Sequence, residues 1–152
     1  MRVFLLSGLL WIASQSFAQK NDVKEEVPPA LGVDNLTLLV QDEDKNQLSK
    51  TISEMFEKHY KGPYEIQPAS VIQSKKYLDA TKYRFVFVVL TKQNPGQWIG
   101  RERFPPTTDY AYAVLDRRLG IQYRLDGWAG GFKRSMADYV KEMGKVRASN
   151  AK

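Results

Sequence analysis

The chain has 152 residues, 43% of them hydrophobic, 12% aromatic and 26% charged, with a formal net charge of +6. That composition is ordinary for a globular protein, and the length suits one domain that folds without a disulfide or structural metal. Cysteine is absent and His59 is the sole histidine. These counts exclude dithiol redox chemistry, thiolate-bound metal, a thiol nucleophile and any site needing two imidazoles, and they speak against a His-based triad.

Arg2 precedes an apolar stretch from Val3 to Ala13, and Ser16 and Ala18 stand three residues and one residue before a cut after Ala18. The pattern is that of a signal peptide over residues 1–18, with an uncleaved membrane anchor as the competing reading. Beyond it the longest unbroken apolar run is Phe85 to Leu90, far short of a membrane helix, so the product is expected not to be an integral membrane protein. The expected location is the periplasm or the cell surface. Residues 19–35 are polar, hold Pro28-Pro29 and lack periodicity, which predicts a flexible tether ahead of one domain over 36–148. Residues 149–152 are expected to form a disordered tail.

Leu36 to Val40 predicts a short buried strand. Leu48, Ile52, Met55, Phe56 and Tyr60 form one apolar stripe of a helix, with Asp44 as a cap and Gly62-Pro63 as the stop. Tyr64 to Ile66 predicts a second strand, and Ser70 to Ala80 a short helix. Phe85 to Thr91 is β-branched and aromatic with apolar residues on both faces, so it is expected to be central. Lys92 to Asp109 shows no periodicity and is expected to be an 18-residue loop. Tyr110 to Leu115 and Ile121 to Leu125 predict a hairpin whose turn uses a positive φ at Gly120. Phe132, Met136, Tyr139, Val140 and Met143 predict a closing amphipathic helix.

The order β-α-β-α-β-β-β-α predicts an α/β (α+β) fold: a single open mixed sheet of about five strands with helices packed on it. The first strands should pair in parallel and the hairpin should extend the sheet antiparallel. The element order resembles the thioredoxin-like arrangement. The redox cysteine pair is missing, however, and Ala80-Thr81-Lys82 stands where a proline would precede the central strand, so no thioredoxin function is implied. His59-Tyr60-Lys61-Gly62-Pro63-Tyr64-Glu65 also resembles a segment of small exported proteins of Gram-negative bacteria, which implies export and no particular activity.

Residues 19–99 balance 11 Lys/Arg against 11 Asp/Glu, whereas residues 100–152 hold 11 against 6. A basic C-terminal third attracts anionic partners; export disfavours nucleic acid and points to an anionic envelope component or another envelope protein. Two segments could carry such binding. Trp98, Arg101, Arg103 and Phe104 interleave aromatics with cations in the 92–109 loop, suited to stacking and to holding anionic groups. Gly130 and Gly131 open the last helix ahead of Lys133 and Arg134, where free N–H groups and cations could take an anion.

Asp42 and Asp44 follow the first strand in a D-x-D pattern that could hold Mg²⁺ and supply a nucleophile, as in haloacid-dehalogenase-type phosphatases. Asn46 departs from that pattern, and helix capping explains the same residues. The leading expectation is a non-catalytic exported binding or accessory protein of the cell envelope, engaging an anionic or glycan-bearing partner and needing no cofactor. The alternative is a metal-dependent phosphoester hydrolase built on Asp42 and Asp44.

Overall fold

The computed structural model describes residues 26–42 and 46–151. The predicted signal peptide, the start of the predicted tether, the cap at Asp44 and Lys152 lie outside the described residues. The chain forms β1 (Leu38–Asp42), α1 (Asn46–His59), β2 (Tyr64–Pro68) and α2 (Ala69–Ile72), then a single 3₁₀ turn (Lys75–Tyr77). There follow β3 (Phe85–Asn94), β4 (Gln97–Ile99), β5 (Glu102–Phe104), β6 (Thr107–Asp116), β7 (Ile121–Arg124) and α3 (Phe132–Asn150).

Five strands form one mixed sheet in the order β2-β1-β3-β6-β7. β1 pairs in parallel with β2 and with β3, and the β3–β6 and β6–β7 pairs are antiparallel. The expected open sheet with packed helices is therefore the observed one, with Phe85–Asn94 in the middle. Its sequence explains the place: Phe85, Val86, Phe87, Val88 and Val89 are all buried, which only a strand covered on both faces requires.

α1 and α3 cover one face of the sheet. Ile52, Met55, Phe56 and Tyr60 meet Met136, Tyr139, Val140 and Met143 over Leu38, Val40, Phe87, Tyr112 and Val114. Phe56 stands edge-on to Phe87 at 5.0 Å between ring centres, the geometry in which an aromatic pair adds about 0.5–1.5 kcal/mol beyond its buried area. The two helices approach so closely that a Cβ on Gly144 would lie 2.5 Å from the His59 carbonyl oxygen. The other face is covered by α2 and the segment after it, through Ile72, Tyr77 and Tyr83 against Leu39, Val86, Val88 and Ala113.

The predicted helix from Ser70 to Ala80 is reduced to the four residues of α2 and the 3₁₀ turn. Side chains, not helical backbone, hold this stretch. Buried Tyr77 and Tyr83 donate to the two oxygens of the Glu65 carboxylate on β2, at 2.8 and 3.2 Å. Arg117 donates to the carbonyls of Tyr77 and Tyr83, and Arg118 donates to those of Ala80 and Thr81. The hairpin turn that sends these arginines is itself fixed by Asp116, 1% exposed. Its carboxylate accepts the backbone N–H of Arg118 at 3.0 Å and of Leu119 at 3.2 Å, and pairs with Arg84 at 2.6 Å. Gly120 closes the turn at φ +66°, as expected from the sequence.

Two expectations about the domain's edges are corrected. Residues 26–35, assigned to the flexible tether, are part of the packed fold: Val27 and Leu31 are buried in the α1–α3 core. Tyr139 donates to the Glu26 carbonyl at 2.7 Å, and Arg147 to Asn35 Oδ1 at 3.0 Å. The tail is likewise shorter than expected, since α3 runs to Asn150. Asn150 Nδ2 donates to the carbonyls of Pro29 and Leu31. The N-terminal segment and the end of α3 thus clasp each other. All described elements and both core clusters lie between residues 26 and 151, so a chain beginning at Gln19 contains every one of them.

Candidate functional site

The stretch from Lys92 to Asp109 is not a structureless loop; it is a two-stranded β-arm. β3 and β6 stay paired for ten residues each, from Phe85↔Asp116 to Asn94↔Thr107. β1 reaches β3 only at Val86 and Phe87, and β7 reaches β6 only from Ala113 onward. Past Leu90 and Ala111 the ribbon therefore leaves the sheet; at its base Tyr110 bridges Ala129 and packs its ring on Phe132 of α3 at 4.7 Å. Asn94 donates to the Asp109 carboxylate across the ribbon at 2.7 Å, and Thr108 donates to Gln93 at 2.9 Å. These cross-strand bonds hold the stem where it has no sheet neighbours.

Pro95-Gly96 on one side and Pro105-Pro106 on the other end this pairing, because proline donates no ladder hydrogen bond. The chain runs closely through the joint: a Cβ on Gly96 would lie 2.8 Å from the Phe104 carbonyl oxygen. Pairing then resumes as a separate sheet, Gln97↔Phe104, Trp98↔Arg103 and Ile99↔Glu102. Gly100-Arg101 closes it, with Gly100 at φ +64°, the two-residue turn that favours glycine at its first central position. Counted at about 3.3 Å per pair, four stem pairs and three tip pairs give a contour of roughly 23 Å.

All six residues of β4 and β5 are exposed. Opposed residues of an antiparallel pair share a face and neighbours along a strand alternate. Trp98 and Arg103 therefore share one face of the tip, while Gln97, Ile99, Glu102 and Phe104 share the other. Trp98 is 68% exposed, Ile99 57% and Phe104 44%. Arg101 and Arg103 have neither an ion pair nor a side-chain hydrogen bond among the described residues. The structure thus brings together the four residues singled out in the 92–109 segment, and it adds Ile99 and Glu102.

The second group lies at the base of the same arm, since the Tyr110–Ala129 bridge sets residues 127–131 against β6. Gly131 precedes α3 without a side-chain cap. Lys133 pairs with Glu54 of α1 at 3.8 Å; both groups are exposed, so the pair contributes little. Gly130 faces a carboxylate, because a Cβ there would sit 3.9 Å from Asp109 Oδ1. Arg134 is exposed and lacks a partner among the described residues. Lys133 and Arg134 are not brought together with Trp98, Arg101, Arg103 and Phe104 into one pocket. Beside them, Arg124 stacks on Trp128 at 4.8 Å.

Asp42 lies at the carboxyl end of β1, and its carboxylate accepts the Ser49 hydroxyl from the first turns of α1; Asp44 lies outside the described residues. Among the described residues no three His, Cys, Asp or Glu side chains group closely enough to hold a metal. His59 sits at the surface end of α1, its pKa lowered by desolvation and then by Lys141, Lys58 and Lys61. No helix among the described residues is long and apolar enough to cross a membrane.

The chain matches no family model, no curated protein and no solved structure. The likeness to exported proteins and to the thioredoxin-like arrangement rests on residue pattern and element order alone.

Proposed function

We propose that this chain is a non-catalytic exported binding protein of the cell envelope, whose working part is the β-arm. One observation carries this reading. A ribbon stiffened by ten strand pairs ends in exposed Trp98, Ile99 and Phe104 beside two arginines without a counter-charge among the described residues. Exposed apolar residues scattered singly, such as Leu78 and Leu119, are ordinary; three gathered on one small projecting element support an interaction site. Arginine beside an aromatic residue suits anionic or glycan-bearing partners, since the guanidinium binds phosphate or carboxylate while the ring stacks. Export comes from the sequence of residues 1–18.

Titration calorimetry of the chain from Gln19 onward against lipopolysaccharide and acidic polysaccharides tests the reading. Saturable binding is expected for the wild type and is lost when Trp98, Arg101 and Arg103 are all replaced by alanine. A triple variant that binds as tightly as the wild type overturns the assignment of the arm.

A further inference from the structure

We propose that the partner of the arm tip is an anionic lipid bilayer, with Trp98, Ile99 and Phe104 entering its interface and Arg101 and Arg103 held at its phosphates. The inference rests on the arm being the binding element and names the surface it takes.

The distribution of apolar groups decides between a bilayer and a soluble partner. Trp98 projects from one face of the tip, and Ile99 and Phe104 from the other. A rigid partner laid on a two-stranded ribbon covers one face and leaves the other wet. A bilayer interface closes around a narrow convex tip from every side, so both faces lose water together. The size also fits. Three residue pairs span about 10 Å, while interfacial elements bury their apolar side chains roughly 5–10 Å into the boundary between headgroups and acyl chains.

The side chains suit that depth. Tryptophan concentrates at membrane–water interfaces, where the ring is apolar and its N–H stays hydrated. Arginine stems lie along apolar surface while the guanidinium reaches back to the headgroups. Charge is complementary to an acidic leaflet at the tip: Lys92 and Asp109 oppose each other in the stem, and from residue 97 to residue 104 Arg101 and Arg103 stand against Glu102 alone. The paired stem and the body of the domain lie behind the tip, and nothing in the fold requires a membrane helix.

The test uses the chain from Gln19 onward, so that the apolar N-terminal stretch contributes no affinity, with its fold checked by circular dichroism. Sedimentation is measured with vesicles of mixed phosphatidylglycerol and phosphatidylcholine, and with phosphatidylcholine alone. Binding is expected to the acidic vesicles. Each cation near such a surface is worth roughly fivefold in partition, so Arg101→Gln with Arg103→Gln should weaken it about 25-fold. Trp98→Ala with Phe104→Ala should abolish it. With Trp128→Phe, Trp98 is the one remaining tryptophan of this chain, and its emission should shift to the blue on binding. No binding, or binding indifferent to both double variants, overturns the inference. If vesicles fail while an acidic polysaccharide still binds through the same residues, the lipid surface is excluded and the broader reading stands; failure of both overturns both.

Discussion

Replacing Asp116 by alanine should be among the most damaging single changes in this protein. The carboxylate is 1% exposed and serves donors on three residues from two parts of the chain. Arg84 reaches it through Nε, 3.0 Å from each oxygen, and through Nη2 at 2.6 Å. The N–H groups of Arg118 and Leu119 fix the turn between β6 and β7. Truncation leaves a nearly buried guanidinium without its counter-charge and two turn amides without an acceptor. Removing one partner of a buried pair costs about 3–5 kcal/mol, out of a total of roughly 5–15 kcal/mol for a domain. A fall in melting temperature on the order of 10–20 °C follows for a chain of this size.

Urea unfolding followed by circular dichroism measures the loss, and a double-mutant cycle with Arg84→Met separates its causes. The Arg84→Met, Asp116→Ala double variant should be less destabilised than the sum of the two single variants, because it no longer strands a charge. An Asp116→Ala variant within about 1 kcal/mol of the wild type would refute the claim that this pair organises the turn.

Three further outcomes follow from particular contacts. Gly144→Ala, which in an exposed helix interior would gain up to about 1 kcal/mol, should instead destabilise by about 1–3 kcal/mol, because its Cβ meets the His59 carbonyl at 2.5 Å; chemical denaturation gives the sign directly. The Glu65 carboxyl is held below its ordinary 4.5 chiefly by the Tyr77 hydroxyl, against some desolvation, with Tyr83 and Lys76 adding to it. A depressed carboxyl stabilises the fold above its unfolded pKa and ceases to as pH falls through the folded one. The stability lost in Tyr77→Phe should accordingly be largest at neutral pH and shrink below pH 4.5, as unfolding at a series of pH values would reveal. Arg117→Ala should cost about 1–3 kcal/mol by leaving the Tyr77 and Tyr83 carbonyls unmatched, yet leave arm-dependent binding in calorimetry unchanged.

How much of this could be read beforehand varied with the reach of the interactions. α1 and α3 were legible because their stripes repeat at helical spacing over three turns or more. β3 was legible because both its faces are apolar. The tip of the arm was not, although its residues were singled out: three-residue strands between Pro95-Gly96 and Pro105-Pro106 are too short to establish an alternation. The signal present was Gly100-Arg101 at the centre of that symmetric punctuation. The segment from Val27 to Leu31 was unreadable for another reason. Val27, Ala30 and Leu31 around two prolines look like spacer until the end of α3 is in place to receive them. The stretch from Ser70 to Ala80 gave a false helical pattern, since Ile72 and Tyr77 are buried while Val71 and Leu78 face solvent.

The surplus of cations in the C-terminal third shows why net charge does not translate into a binding face. Arg117 and Arg118 are occupied by backbone carbonyls, and Arg118 also meets Asp34 at 3.7 Å. Arg124 lies on Trp128, Arg147 binds Asn35, and Lys133, Lys141 and Lys145 each face a carboxylate. Planar guanidinium groups with several donors suit the first of these tasks, because one arginine can satisfy two carbonyls of an irregular segment. Among the described cations of this third, that leaves Arg101, Arg103 and Arg134, two of them on the arm. The short reach of such charges in salt, about 8–10 Å, then matters more than the total. Within this third, a partner approaching the body meets Arg134 among cations otherwise matched, and one approaching the tip meets two unmatched cations together, beside the most exposed aromatic side chain among the described residues.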